Sequence, residues 1–196
     1  MPITDLPDFI RNNYEIHEWR HAIAILKNDF PNEWRDITDV LIRFRLYKSH
    51  INVGGGRKSL VANWIDTQFG DLGWVEKQFD TKIVVDRLES HTPTHQVDEF
   101  KNKIAVEVEW NNKDPFYDRD LNNFRLLFDL RVISVGVIIT RTTELQEIFD
   151  SLDRGKSYGT STTHMGKLLP KLVGGGGGGC PILVFGIKPD LYVEDV

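Results

Sequence analysis

Three acidic side chains lie close together in a segment whose hydrophobicity alternates. Asp98 is followed by Glu107 and Glu109, which fall within the apolar stretch Ile104–Trp110. Alternate side chains of a β-strand share a face, so Glu107 and Glu109 point the same way, with Cα atoms about 7 Å apart. Adjacent carboxylates repel each other and resist burial, and a divalent cation between them would compensate. The alternative is a half-exposed edge strand that turns its polar residues to water.

A turn at Asn102 would place Asp98 on a neighbouring antiparallel strand, beside Glu107. Three converging carboxylates make a hard oxygen site that suits Mg²⁺, which binds one or two carboxylates together with water and substrate phosphate oxygens. Such an ion activates water and stabilises charge on a phosphoryl group. The sequence therefore predicts one or two Mg²⁺ ions per chain and phosphoryl chemistry.

The elements that must position these residues are read from periodicity and from turn residues. Helices precede a run of short strands, and strands then alternate with helices, which indicates an α/β class with a mixed sheet flanked by helices. We expect helices over 16–30, 31–44, 59–70, 118–129 and 142–152, and strands over 74–79, 82–87, 96–100, 103–110, 132–140 and 182–187.

The chain has 196 residues, which suits a single domain over 1–196. We expect a helical N-terminal part over 1–56 and a catalytic core over 57–189. The six glycines at 174–179 are expected to form a flexible surface loop, because glycine has the greatest backbone freedom.

The composition indicates a soluble, cytoplasmic protein. The single cysteine, Cys180, rules out an internal disulfide, no apolar run is long enough to span a bilayer, and the N-terminus does not resemble a signal peptide. Gly155, Lys156 and Ser157 match the end of a phosphate-binding loop, but Asp150 occupies the position of its first glycine. We therefore expect no nucleotide cofactor.

His17, Glu18 and His21 form an H-E-x-x-H motif. On a helix the two histidines would share a face and could bind zinc, with Glu18 as the general base of a metallopeptidase. Few residues precede the motif, and no third ligand is evident. A zinc metallopeptidase is kept as an alternative function.

The pattern of Asp98 followed by Glu107-Val108-Glu109 resembles the catalytic core of type II restriction endonucleases of the PD-(D/E)xK superfamily. Within it the chain resembles the BglII, BstYI and BamHI group, in which Glu or Gln replaces the usual lysine. The resemblance extends over about 57–189. Its context includes Gly73-Trp74, the buried strand 135–139 and the closing segment 181–187.

The resemblance implies that Asp98 and Glu107 bind the metal, together with the main-chain carbonyl of Val108. Glu109 stands where the superfamily has lysine, so it would accept a proton from water or hold a second metal. The family also places a polar residue on the helix before the sheet. Asn63 matches this position by spacing, and Asp66 is the alternative.

The resemblance also implies a double-stranded DNA substrate, a short palindromic site and 5′-phosphate ends. A two-fold site implies a homodimer, and helix 118–129 is either a dimer face or packs on the sheet. A sequence-specific DNA-binding protein that does not cleave is the other alternative. We expect base or phosphate contacts from Asn111, Asn112, Lys113, Asp153, Arg154, Lys156, Ser157, Arg57 and Lys58.

The net charge of −5 argues against a simple nucleic-acid coat protein. The negative charge is unevenly distributed, however. Residues 40–65 and 154–189 each contain five basic side chains and no acidic one. If the fold brings these two segments together, they provide a local basic surface for DNA.

Overall fold

The computed structural model describes residues 2–53, 58–91 and 94–195. In chain order the elements are α1 (Asp8–Asn13), β1 (Tyr14–Trp19), α2 (Ala22–Asp29), α3 (Pro31–Arg43), β2 (Leu46–Tyr47), α4 (Lys48–Asn52), α5 (Leu60–Asp71), β3 (Val75–Lys77), β4 (Lys82–Val85), β5 (Leu88–His91), β6 (Val97–Lys101), β7 (Ile104–Val108), α6 (Phe116–Asp129), β8 (Val135–Arg141), α7 (Leu145–Ser151), α8 (Met165–Val173), β9 (Ile182–Ile187) and β10 (Tyr192–Val193).

Among the described residues, six strands form one mixed sheet in the order β1-β9-β8-β7-β6-β3. Strands β7, β8 and β9 run parallel, and the others pair antiparallel with their neighbours. Strands β4 and β5 form a separate hairpin, and β2 pairs with β10. The predicted α/β class with a mixed sheet flanked by helices is confirmed.

The sheet separates two hydrophobic cores, because alternate side chains of each strand face opposite sides. Val106 of β7 faces the core that contains residues of α1, α2, α3, α5 and α7. Ala105, next to it, faces the smaller core formed with α6 and α8. All residues of β7, β8 and β9 are buried. The acidic side chains of β7 are therefore embedded in an apolar layer.

The predicted helix over 16–30 is wrong in its first part. Tyr14–Trp19 form β1, which pairs with β9 along its whole length. Arg20 and His21 then adopt positive φ angles of 57° and 59°, and the chain turns into α2. The spacing of the apolar residues favoured a helix. In the extended conformation, however, the backbone of β1 pairs with the buried strand β9. Residues 1–56 are thus not wholly helical.

This correction removes the basis for a zinc site at the H-E-x-x-H motif. His17 lies on a strand and His21 in a left-handed turn, so the two rings do not share a helical face. The ring of His17 hydrogen-bonds Glu15 at 2.7 Å. A carboxylate oxygen of Glu18 accepts from the N–H of Ile23 at 3.0 Å and thereby caps α2. The metallopeptidase alternative is therefore wrong.

The apolar face of α6 packs against the sheet. Leu121, Phe124 and Leu127 are buried in the second core. Of the two roles considered for this helix, packing on the sheet is the one observed, because a residue buried inside the chain presents no surface to a partner. The dimer-face interpretation is wrong for these three residues.

The glycine run at 174–179 packs closely against its neighbours. A Cβ at Gly177 would lie 2.4 Å from Cδ1 of Ile182, and one at Gly178 would lie 2.6 Å from Cγ of Arg125. Gly178 also has a φ of +57°, which favours glycine. Glycine is needed at these two positions for close approach to α6 and β9. The other glycines of the run are exposed, so the segment lies at the surface as expected.

No helix of the described chain is long and apolar enough to cross a membrane.

Candidate active site

The acidic residues selected from the sequence meet where β6 begins and β7 ends. The N–H of Val108 donates to Oδ2 of Asp98 at 2.9 Å. The N–H of Asp98 donates to Oε2 of Glu107 at 3.4 Å. The turn that brings them together has positive φ at Asn102 and Lys103, and the antiparallel pairing predicted for this segment is present.

Glu107 is completely buried, and its Oε1 has no hydrogen-bond partner among the described residues. Burial raises the pKa of Glu107 well above its ordinary value, and the nearby carboxylates of Asp120 and Asp98 raise it further. An unsatisfied buried acceptor is costly, and a second negative charge beside it adds to the cost. A bound cation would satisfy the oxygen and offset the repulsion.

Within the described part of the chain, no three His, Cys, Asp or Glu side chains are close enough to hold a metal ion by themselves. The available donors are the carboxylates of Asp98 and Glu107 and the main chain of Val108. A small protein donor set of this kind fits Mg²⁺, which retains water and binds substrate phosphate as well.

Glu109 follows β7 and is 1% exposed. Its Oε2 accepts from Nδ2 of Asn112 at 3.0 Å, and its Oε1 accepts from Arg119 at 3.3 Å. Burial raises the pKa of Glu109 to about 9, with a further contribution from Asp120. Burial thus favours the protonated form of Glu109 in the free protein, and Asn112 and Arg119 hold its carboxyl group in place.

Asp120 was not singled out from the sequence, yet it completes this cluster. It is fully buried on α6, and the guanidinium of Arg119 contacts its Oδ1 at 2.7 Å. Burial raises the pKa of Asp120 to about 6, while the positive charge of Arg119 opposes the rise. The available signal was an acid within the apolar stripe of α6, between Tyr117 and Leu121.

Glu99 is a second buried acid that sequence reasoning missed. It is 4% exposed on β6 and lies opposite Val106 of β7. Burial raises its pKa to about 8, followed by the effects of Asp66 and Asp98. The signal in the sequence was an acidic residue two positions after the apolar Val97 of the same strand.

A cleft of about 250 Å³ opens beside Asp98 and Val108. Its other wall is the start of α5, which begins at Leu60 because the side chain of Ser59 accepts from the N–H of Ala62. The remaining residues that line it are Lys58, Asp66, Glu76, Trp110 and Asn112. Asp98 is therefore open to solvent on the α5 side.

The structure does not bring Asn63 into this cleft. The apolar stripe of α5 consists of Val61, Ile65 and Phe69, and Asn63 lies on the exposed side of the helix, nearly opposite that stripe. Asp66 flanks the stripe, lines the cleft and forms an ion pair with Lys58. Asp66, the alternative considered from the sequence, is therefore the polar residue that α5 contributes.

Residues 111–113, which follow β7 and Glu109, lie next to a second loop. Asn112 accepts at its carbonyl from the N–H of Thr163 at 2.8 Å, and its own N–H donates to the hydroxyl of Thr163 at 3.1 Å. Lys113 is exposed and bridges Thr162. Asn111 adopts a φ of 61°. This pairing fixes 111–113 at the rim of the cleft.

The candidate base-reading loop follows α7. Asp153, Lys156 and Ser157 are exposed, and Arg154 is half-buried. Nη2 of Arg154 donates to the carbonyl of Val53 at 3.1 Å.

The Arg154–Val53 contact joins the two basic segments, 40–65 and 154–189, at one place. Arg57, predicted to contact phosphate, lies outside the described residues. Lys58, its neighbour, lines the cleft.

The mixed sheet with carboxylates at the end of a central strand is a restriction-endonuclease-like fold. A family model described as restriction endonuclease BglII/BglIII matches residues 14–187, a range that contains all six strands of the central sheet. The chain therefore belongs to this family and is a site-specific deoxyribonuclease of the restriction endonuclease type. A search of the curated proteins gave no match.

Proposed function

We propose that the protein is a Mg²⁺-dependent type II restriction endonuclease that cleaves double-stranded DNA at a short palindromic site. It leaves 5′-phosphate and 3′-hydroxyl ends. The observation that carries the proposal is the buried Oε1 of Glu107, which has no hydrogen-bond partner among the described residues and lies beside Asp98, a residue that lines an open cleft. Two repelling carboxylates and an unsatisfied acceptor are what a divalent cation would compensate.

Asp98, Glu107 and the carbonyl of Val108 would hold one Mg²⁺ ion, and Glu109 is available for a second. When bound, Mg²⁺ stabilises the negative charge that develops on the phosphoryl group and lowers the pKa of water. Asp98 is held in place for this role by the N–H of Val108.

The role proposed for Glu109 is to accept the proton of the attacking water. Asn112 and Arg119 fix the two oxygens of its carboxyl group. Because the pKa of Glu109 is about 9 in the free protein, the group must lose its proton before it can accept one. Glu109 would become the acceptor once it ionises, which a cation held by Asp98 and Glu107 would favour by lowering the pKa of a nearby carboxyl group.

DNA binding is assigned to the rim of the cleft. Asn111, Asn112 and Lys113 are fixed by their pairing with 161–163 and would enter a groove close to the scissile phosphate. Asn presents paired donors and acceptors to adenine, and Lys donates to guanine or phosphate. The exposed residues of the loop at 153–157 would read outer bases, and the basic segments near Val53 would contact phosphates.

A palindromic site cut on both strands requires two active sites related by a two-fold axis, so we propose a homodimer. The buried face of α6 is not part of its interface. Sedimentation equilibrium with and without cognate DNA tests this point. A monomer under both conditions would contradict the proposal.

Cleavage is tested on a pool of PCR-amplified duplexes of random sequence, which contains every short site in unmethylated form. With Mg²⁺ we expect cuts at one palindromic sequence, and the new ends should ligate without prior phosphorylation. EDTA should abolish cutting. Glu107→Gln should also abolish it, whereas Glu89→Gln, on the exposed β5, should cut like the wild type.

Binding to one sequence with intact DNA in Mg²⁺ would instead show a DNA-binding protein that does not cleave. Cleavage that persists in EDTA would contradict the metal dependence.

A further inference from the structure

The cleft beside Asp98 contains a cationic side chain. Of the described residues that line it, Lys58 is the one with a positive charge. Its ammonium forms an ion pair with Asp66 on the first turns of α5. The Lys58 side chain is 55% exposed and that of Asp66 15% exposed, so the ammonium is anchored on one side and open to the cleft on the other.

The position that carries lysine elsewhere in the superfamily cannot provide this charge. Glu109 stands there, and it is buried and points toward α6. Arg119, the cation beside it, is engaged by Glu109 and Asp120 and stacks over the ring of Phe116 at 4.2 Å. Arg119 thus compensates two buried acids and is committed to that role.

Lys58 has the electrostatic setting of a phosphate ligand. Burial lowers its pKa, but the hydrogen bond and charge of Asp66 and the charges of Asp98 and Glu76 outweigh that effect and raise it. The ammonium therefore keeps its proton at working pH. A lysine that stays charged acts as a point charge on phosphate oxygens.

We propose that Lys58 is a catalytic residue that contacts a non-bridging oxygen of the scissile phosphate and supplies the positive charge that Glu109 cannot. This inference rests on the proposed nuclease activity. As the water oxygen bonds to phosphorus, the bond from phosphorus to O3′ breaks. The proton of the water passes to Glu109 and then to solvent, and O3′ takes a proton from solvent. Lys58 gains and loses no proton.

Asp66 is a positioning residue in this arrangement. It holds Nζ of Lys58 at the cleft that Asp98 also lines. Because Asp66 is largely shielded from water, its ion pair is screened less than a surface pair. The lysine is thus fixed before substrate arrives, as electrostatic stabilisation of a transition state requires.

The test compares Lys58→Met, Lys58→Arg and Lys82→Met in single-turnover cleavage of a duplex that carries the site found in the random pool. Lys82 is the matched control, because it is a similarly exposed lysine paired with Glu89 on the β4–β5 hairpin, away from the cleft. DNA affinity is measured for each variant in a Glu107→Gln background that does not cleave. Thermal melting of each variant confirms folding.

We expect Lys58→Met to lower the rate at saturating enzyme by about 100-fold, as for loss of one preorganised oxyanion donor. Lys58→Arg should restore most of the rate, and Lys82→Met should match the wild type. The DNA Kd should change little in all three variants. If Lys58 only positions the backbone, Lys58→Met would instead raise the Kd by about tenfold and leave the saturated rate unchanged, which would overturn the inference.

Failure of this inference is distinguishable from failure of the proposed function. If the wild type cuts the pool and Lys58→Met cuts at the same saturated rate, the role of Lys58 is wrong and the nuclease assignment stands. If the wild type itself leaves every duplex intact, both are wrong.

Discussion

The N–H of Val108 donates to Oδ2 of Asp98 at 2.9 Å, and this bond joins the end of β7 to the start of β6. It holds the carboxylate of Asp98 beside Glu107. This arrangement is unfavourable for Glu107, because its second carboxyl oxygen is buried and has no hydrogen-bond partner among the described residues. The free protein therefore maintains an unfavourable group of buried acids at the place where a cation is proposed to bind.

Glu107→Gln should stabilise the metal-free protein while it abolishes cleavage. The amide carries no charge to desolvate, and its oxygen can still accept from the N–H of Asp98. Because burial raises the pKa of Glu107 well above that of the unfolded chain, the gain near neutral pH should be about 1–3 kcal/mol. Denaturant unfolding in EDTA measures it. An unchanged or lower stability would show that Glu107 is not strained in the free protein.

The chemistry of β6 and β7 could be predicted from sequence because it depends on local alternation. Glu107 and Glu109 interrupt an apolar strand, and a two-residue turn at Asn102 determines their partner. The position of β1 could not be predicted, because its pairing with β9 joins residues far apart in the chain.

The contribution of α5 to the site could be predicted from the sequence only in part. Its start at Ser59 is readable, but whether Asn63 or Asp66 faces the cleft depends on how the stripe of Val61, Ile65 and Phe69 packs. Helix α8 was not expected, since Pro170 lies inside it and proline usually ends a helical pattern.

The stability of the metal-free protein should fall as the pH rises from about 5 to about 9. Glu99 and Glu109 have folded pKa values of about 8 and about 9, chiefly because of burial, while unfolded glutamates titrate near 4.5. The folded state thus binds protons more tightly, so the contribution is fully present below the unfolded pKa and is lost as the pH passes the folded values.

Melting temperatures across this range in EDTA measure the slope. Glu99→Gln should flatten it between about pH 5 and pH 8, and saturating Mg²⁺ should flatten it further, because a cation replaces the bound protons. A melting temperature that rises toward pH 9 would contradict the burial of these acids. Glu194→Gln, which changes an exposed acid near the C-terminus, is the control.

Gly136→Ala should destabilise the fold that holds the site. A Cβ at this position of β8 would lie 2.4 Å from Cδ2 of Phe124, so α6 would have to shift. Overpacking of this kind costs about 1–3 kcal/mol. Gly70→Ala is the matched control, since a Cβ there meets nothing within 4 Å. It replaces a helical glycine of α5 and should stabilise the protein by about 0.5–1 kcal/mol. Equal effects of the two changes in urea unfolding would refute the close packing of β8 with α6.

Arg141→Met should release the loop that follows α7. Arg141 is buried at the end of β8, and its Nη2 donates to the carbonyl of Tyr158 and to the hydroxyl of Thr162, both at 2.9 Å. Burial lowers the pKa of Arg141 to about 10, so removing the charge recovers part of what the lost hydrogen bonds cost. Global stability should therefore change little, while the loop loses its anchor.

Trypsin reports on this release directly, because the loop carries the cleavable residues Arg154 and Lys156. We expect cleavage in the loop to accelerate by about tenfold or more in Arg141→Met, the factor that corresponds to about 1.4 kcal/mol of local stability. Arg125→Met, on the exposed side of α6, is the control. If Arg141→Met resists trypsin as the wild type does, other contacts hold the loop. These would include the stacking of Tyr158 on Phe149, with ring centroids 4.0 Å apart.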